Sequence, residues 1–159
     1  MTTMRLGAAG ILLVTLAGAA PAVAQQTAPV DSSIVIHEQH DFEQPPARIY
    51  AALTDGKIFT AFTGAPATID AREGGALTLF GGVIVARNIE LVPDRRVVQA
   101  WRADDWPEGV FSIVRFELTP HGTGTRLVFD HIGFPAGLRA HLVKGWQDHY
   151  WALLSQNLK

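Results

Sequence analysis

The chain of 159 residues contains no cysteine. Disulfides, thiolate metal centres, a thiol nucleophile and a lipid-bearing cysteine are therefore excluded, and stability has to come from packing alone. Basic clusters are also missing, since Arg95-Arg96 is the one adjacent pair of basic side chains and it falls in a turn. With 13 Lys and Arg against 15 Asp and Glu the formal net charge is −2, which leaves no electrostatic footprint for a nucleic acid or an anionic membrane. No serine sits in a Gly-x-Ser-x-Gly elbow. Gly74-Gly75 and Gly81-Gly82 have no helix behind them to cradle a phosphate, and they read as tight turns.

The N-terminal residues have the three-part layout of a secretory signal. Met1 to Ala24 carries one basic residue, Arg5, then the uncharged run from Gly7 to Ala20, and closes on Ala22-Val23-Ala24. The apolar stretch is about fifteen residues, short of the roughly twenty that span a bilayer, and no stop-transfer cluster follows it. The expectation is cleavage after Ala24, a secreted or periplasmic product, and no stable membrane insertion after cleavage; an uncleaved N-terminal anchor is the alternative. Loss of Arg5 leaves twelve basic against fifteen acidic residues in the product. Residues 25–33 are polar, contain Pro29 and read as a tether without fixed structure, and residues 34–159 as one domain.

Within that domain Ile34-Val35-Ile36 opens a strand that alternates through Phe42. Pro45-Pro46 can stand only at a helix start, which places one short helix over Arg48 to Thr54, stopped by Asp55-Gly56. A second runs from Lys57 to Phe62 and is broken by Gly64 and Pro66. Six strands follow, Ala67–Asp70, Ala76–Phe80, Val83–Leu91, Val97–Arg102, Val110–Thr119 and Thr125–His131, joined by short turns that make antiparallel neighbours. The last segment, Ala136 to Leu158, reads as a helix of about 22 residues, and Leu142, Val143, Trp146, Tyr150, Leu153, Leu154 and Leu158 form its apolar face. That face needs a partner, and the alternating strands supply one. The result is an α+β domain in which a curved antiparallel sheet wraps a long C-terminal helix, with two short helices after the first strand.

This order is that of the helix-grip fold of START-like domains. More specific are Phe80-Gly81-Gly82, Val97-Val98-Gln99-Ala100-Trp101-Arg102, Trp106-Pro107-Glu108-Gly109, Phe111-Ser112, Gly124-Thr125, His131-Ile132-Gly133-Phe134-Pro135 and Gly145-Trp146. In that order and spacing they resemble the C-terminal domain of the activators of the heat-shock-protein-90 ATPase and their bacterial relatives, over Ile34 to Leu158. The resemblance implies the helix-grip fold and a groove between sheet and helix. The activators' additional chaperone-gripping N-terminal domain has no counterpart in the residues before Ile34.

In such a fold the informative side chains are polar or aromatic ones aimed between the layers. The candidates for a ligand cavity are Trp101, Trp106, Ser112, Phe116, Phe129, His131, Trp146 and Tyr150. His131 reads either as a core histidine satisfied by a backbone carbonyl or as a polar contact for a ligand. Trp106, on a loop, reads as a lid or as packing, and Gly145 as a close approach between helix and sheet. His37 and His40 face opposite ways on a strand, and His141 and His149 have no partner ligands nearby, so no metal is expected. Asp130 and His131 point apart as strand neighbours, which argues against acid-base work by that pair. The favoured function is an exported domain holding a small apolar or amphipathic molecule, with no cofactor and no defined catalysis. A protein-interaction module with a protein client, and a cyclase-like or hydrolytic enzyme of the wider superfamily, are the alternatives.

Overall fold

The computed structural model describes residues 32–158. The expected signal, 1–24, and most of the expected tether lie outside the described residues; its last residues, Ser32 and Ser33, belong to a 3-10 turn, Ser32–Ile34, that leads into the first strand. The elements are β1 (Val35–Phe42), α1 (Pro46–Thr54), α2 (Gly56–Thr63), β2 (Thr68–Ile69), β3 (Ala76–Leu79), β4 (Ile84–Val92), β5 (Arg96–Ala103), β6 (Ser112–His121) and β7 (Gly124–Ile132). A C-terminal helix follows, made of α3 (Arg139–Trp146), a π turn (Gln147–Trp151) and α4 (Ala152–Asn157). The strands form one sheet in the order β1-β7-β6-β5-β4-β3-β2, antiparallel throughout. This is the α+β helix-grip architecture.

Alternation decides which side chains turn inward. Ile36 and Phe42 on β1, Leu127 and Phe129 on β7, Val114, Phe116 and Leu118 on β6, and Val97 and Trp101 on β5 are all buried on the face that meets the helix. The register between Asn88 and Glu90 slips by one residue, leaving Ile89 exposed and bending β4 as a bulge does. The two short helices close one end of the core through Ile49, Ala52 and Leu53 on α1 and Phe59 and Phe62 on α2. Asp55 joins them: its backbone N–H ends α1 on Ala51 O, while its carboxylate accepts from the N–H groups of Lys57 at 2.7 Å and Ile58 at 3.1 Å.

The opposite face of the sheet is laced by charge. Asp130 accepts from His37 and Arg115, Arg115 lies 3.7 Å from Glu117, and Arg96 bridges Glu117 and Glu90. This ladder crosses five neighbouring strands and marks the outer face as polar, although each exposed pair contributes less than about 1 kcal/mol.

The C-terminal helix departs from expectation twice. It starts at Arg139 rather than Ala136, because Gly137 takes φ 85° and cannot lie in a right-handed helix. It is also not uniformly α. Ala152 N–H reaches back five residues to Gln147 O, so residues five apart share a face there. Trp146, Tyr150 and Leu154 are buried as the 3.6-residue period requires, and the wider turn adds Trp151, whose ring stacks 5.6 Å from Trp146.

Gly124 shows how closely β1 and β7 meet. A Cβ at that position would come within 2.0 Å of Phe42 O, a backbone atom that cannot swing aside. Gly124→Ala should therefore cost about 1–3 kcal/mol, measured as a fall in the urea midpoint with an unchanged slope.

Candidate functional site

The site is built where the helix leaves the sheet uncovered, beside the pairing of β6 and β7. His131 is 1% exposed, and both ring nitrogens are engaged. Its Nδ1 lies 3.0 Å from Trp146 Nε1 and its Nε2 2.7 Å from Ser112 Oγ. An indole N–H can only donate, so Nδ1 must accept, and the imidazole proton sits on Nε2 facing Ser112. The Ser112 hydroxyl in turn donates to Trp101 O at 3.3 Å. The chain runs Trp146 to His131 to Ser112 to the β5 backbone, with every group satisfied.

A serine and a histidine 2.7 Å apart invite comparison with a nucleophile and its base. The direction of the proton argues otherwise. Nε2 donates to Ser112 where a base would accept, and the partner on Nδ1 is an indole where a carboxylate would orient the ring. Desolvation by burial also lowers the His131 pKa to about 3, so the imidazole stays neutral and is a weak base. Protonation would set a second donor against Trp146 N–H. His131 ties the helix to the sheet. It is satisfied by side chains, not by the backbone carbonyl expected from sequence.

A second polar chain runs along the inner face of β5. Trp101 Nε1 donates to Gln99 Oε1 at 2.8 Å, Gln99 Nε2 to Asn88 Oδ1 at 3.0 Å, and Asn88 Nδ2 to Asp70 O at 2.9 Å. Gln99 and Asn88 are 2% and 1% exposed, so their amides would be costly without one another. Together the two chains fix the rings of Trp101 and Trp146, whose centroids lie 4.9 Å apart.

Above these rings opens a cleft of about 650 Å³ between α3, the start of β4 and the loop after β5. Of the eight sequence candidates, Trp101, Trp106, His131, Trp146 and Tyr150 line it. Ser112 is sealed behind His131, and Phe116 and Phe129 lie beneath Trp146 at 5.9 and 4.4 Å, so these three face the core and not the cleft. Trp106 is 6% exposed, its loop pinned by Arg102 Nη2 donating to Trp106 O at 2.7 Å. It therefore stands as a fixed end wall.

Two features of the cleft bear most on what it can hold. Tyr150 is 3% exposed and lines the cleft, and its hydroxyl is open to the cleft with no hydrogen bond to any described residue. Burial raises its pKa, so the phenol remains a neutral donor and acceptor. Gly145, expected to mark a close approach of helix to sheet, does the reverse: a Cβ there would meet nothing within 4 Å, because the residue faces the cleft. The sequence reading also missed the helix residues at the mouth. His141, Lys144, Asp148 and His149 line it beside Gly145. Their spacing of three and four places them on one stripe beside the apolar face, a signal the apolar pattern alone overlooks.

Residues 43–159 match the family described as "Activator of Hsp90 ATPase homolog 1-like protein". The chain belongs to this family. Among its relatives, the human "Activator of 90 kDa heat shock protein ATPase homolog 1" is 31% identical over 115 residues, covering 72% of this chain and 34% of the human protein. The activator-like domain thus spans about a third of the length of the curated relatives it matches. An HSP90 activator from Plasmodium falciparum superposes with a TM-score of 0.73 at 24% identity, covering 76% of this chain and 93% of that one. A Rhizobium loti protein reaches 30% identity with a TM-score of 0.56, covering 76% and 94%.

The burial of His131 makes the stability of this activator-like domain depend on pH. Folded, His131 ionises near 3; unfolded, it should ionise near 6.5. Below about 6.5 the unfolded chain binds a proton that the folded chain refuses, so this residue's contribution falls by about 1.4 kcal/mol per pH unit down to about 3. Denaturation midpoints of the natural domain and of His131→Asn, followed from pH 7 to 4, should show the shallower dependence in the variant. Parallel curves would place the titration elsewhere.

Proposed function

We propose that this activator-like domain is exported and binds a small, largely apolar molecule carrying one hydrogen-bonding group, held between sheet and C-terminal helix. The observation that carries the reading is the unpaired Tyr150 hydroxyl in an aromatic cleft beside Gly145. The hydroxyl is open to the cleft and free to bond an occupant, and ligand sites of this size are mostly apolar with a few polar groups that fix orientation. A ligand burying about 300 Å² of apolar surface would gain roughly 7 kcal/mol before association costs, which sets micromolar affinity as the scale. No catalytic step is assigned, since His131 is held as a neutral hydrogen-bond donor to Ser112.

A protein client is the second reading. It is favoured by the names of the relatives and by Phe111 and Ile132, which are 50% and 43% exposed.

Native mass spectrometry of protein collected outside the cytoplasm tests the cleft. A bound mass that disappears on denaturation is expected, and Gly145→Leu, which places a side chain in the cleft, should remove it by weakening affinity more than about tenfold. Because a glycine inside a helix is about 1 kcal/mol worse than alanine, the variant should fold at least as well as the natural domain. Retention of the bound mass by Gly145→Leu would sink this reading and favour a client on another surface.

Export has its own readout. The mature protein should begin at Gln25, and a polypeptide retaining Met1 to Ala24 in the membrane fraction would make that segment an anchor.

A further inference from the structure

The mouth of the cleft carries an unbalanced charge. At neutral pH three carboxylates, Asp104, Asp105 and Asp148, stand there against one ammonium, Lys144, and that ammonium is already paired with Asp148 one helical turn away. His141 and His149 complete the titratable rim. Asp104 and Asp105 are exposed and have no ion-pair partner among the described residues. Their position is fixed by the backbone. Asp104 N–H bonds Val83 O at 2.9 Å, and Trp106 N–H turns back to Ala103 O at 3.1 Å. The same cleft is lined by the rings of Trp101, Trp106, Trp146 and Tyr150.

We propose that the molecule held in this cleft is an organic cation, an amine or quaternary ammonium on an apolar body, whose charge sits at Asp104 and Asp105 while its body lies on the indole rings and its polar substituent meets Tyr150. The inference deepens the ligand-binding reading and rests on it. Two independent features agree on the sign of the charge. Aromatic faces present negative electrostatic potential and attract ammonium groups, Trp most strongly. Unpaired carboxylates at the entrance attract the same sign and repel anions. Tyr150, 3% exposed, presents to the cleft a hydroxyl without a partner among the described residues, and this neutral phenol can donate to or accept from the ligand. An anionic amphiphile would meet the opposite field at every step inward.

The test uses three probes with one body, 2-naphthylmethylammonium, 2-naphthylmethanol and 2-naphthoate, titrated calorimetrically into the full domain at low ionic strength. The ammonium should bind roughly tenfold more tightly than the alcohol, and the carboxylate most weakly. The double variant Asp104→Asn/Asp105→Asn, altered only at exposed positions, should lose most of the ammonium's advantage and leave the alcohol's affinity unchanged. Equal binding of ammonium and alcohol, a preference for the carboxylate, or a preference that survives the double variant would overturn the cation assignment while leaving the cleft a binding site. Failure of all three probes to bind, or binding untouched by Gly145→Leu, would overturn the ligand-binding reading and the cation assignment together.

Discussion

The bond from the Trp146 indole to His131 Nδ1 is the constraint on which the arrangement of this domain turns. Apolar packing between a helix and a sheet is non-directional, and a helix resting on aliphatic side chains can rotate or slide at little cost. A single directional bond in a dry interface removes that freedom. At 3.0 Å, and with the tautomer dictated by the indole, it fixes both the rotation of α3 and its height along β7. Once Trp146 is set, Tyr150 follows at 4.4 Å and Trp151 at 5.6 Å, and the stripe carrying Gly145 and Asp148 must face the loop after β5.

The π turn belongs to the same constraint. A regular helix brings Trp146, Tyr150 and Leu154 into one line and turns Trp151 partly away. The wider turn brings Trp151 back, where its ring packs 5.0 Å from Phe129 and its indole N–H donates to Glu38 Oε2 at 2.8 Å. His40 lies on the same ring at 4.5 Å. The helix is thus tied to β7 through His131 and to β1 through Glu38, at points more than one turn apart. Two such ties prevent rocking as well as sliding.

Much of this was legible in the sequence, and the division between what was and was not has a physical basis. Strand alternation and the proline and glycine positions depend on local sterics, which is why the element order, the two helices after β1 and the inward faces of β6 and β7 could be read directly. Site geometry depends on register. Ser112 and His131 meet diagonally because Ile113 pairs with Ile132, an offset that no single strand contains. Phe116 and Phe129 share a face with His131 yet lie one layer deeper beneath Trp146, and a face assignment cannot express depth. The π turn left no signal, since Trp151 falls outside a 3.6-residue pattern. Gly145 was read as crowding because glycine in a helix explains a close neighbour and an open space equally well.

That ambiguity at Gly145 bears on function. A helix interior forgoes about 1 kcal/mol by carrying glycine instead of alanine, and Tyr150 presents to the same opening a hydroxyl with no partner among the described residues. Here the two stand five residues apart on one wall of the same cleft, while the other buried polar side chains of the inner face, Asn88, Gln99, Ser112, Thr125 and His131, are all bonded. Away from the cleft, Gln44 Oε1 is the one buried side-chain oxygen or nitrogen without a hydrogen bond among the described residues. A domain that bonds the polar side chains of its inner face this thoroughly leaves a helix glycine and an open hydroxyl side by side at one opening, and the proposed ligand is what would meet both. An occupant that bonds Tyr150 and covers Gly145 would recover what the folded chain alone leaves unused.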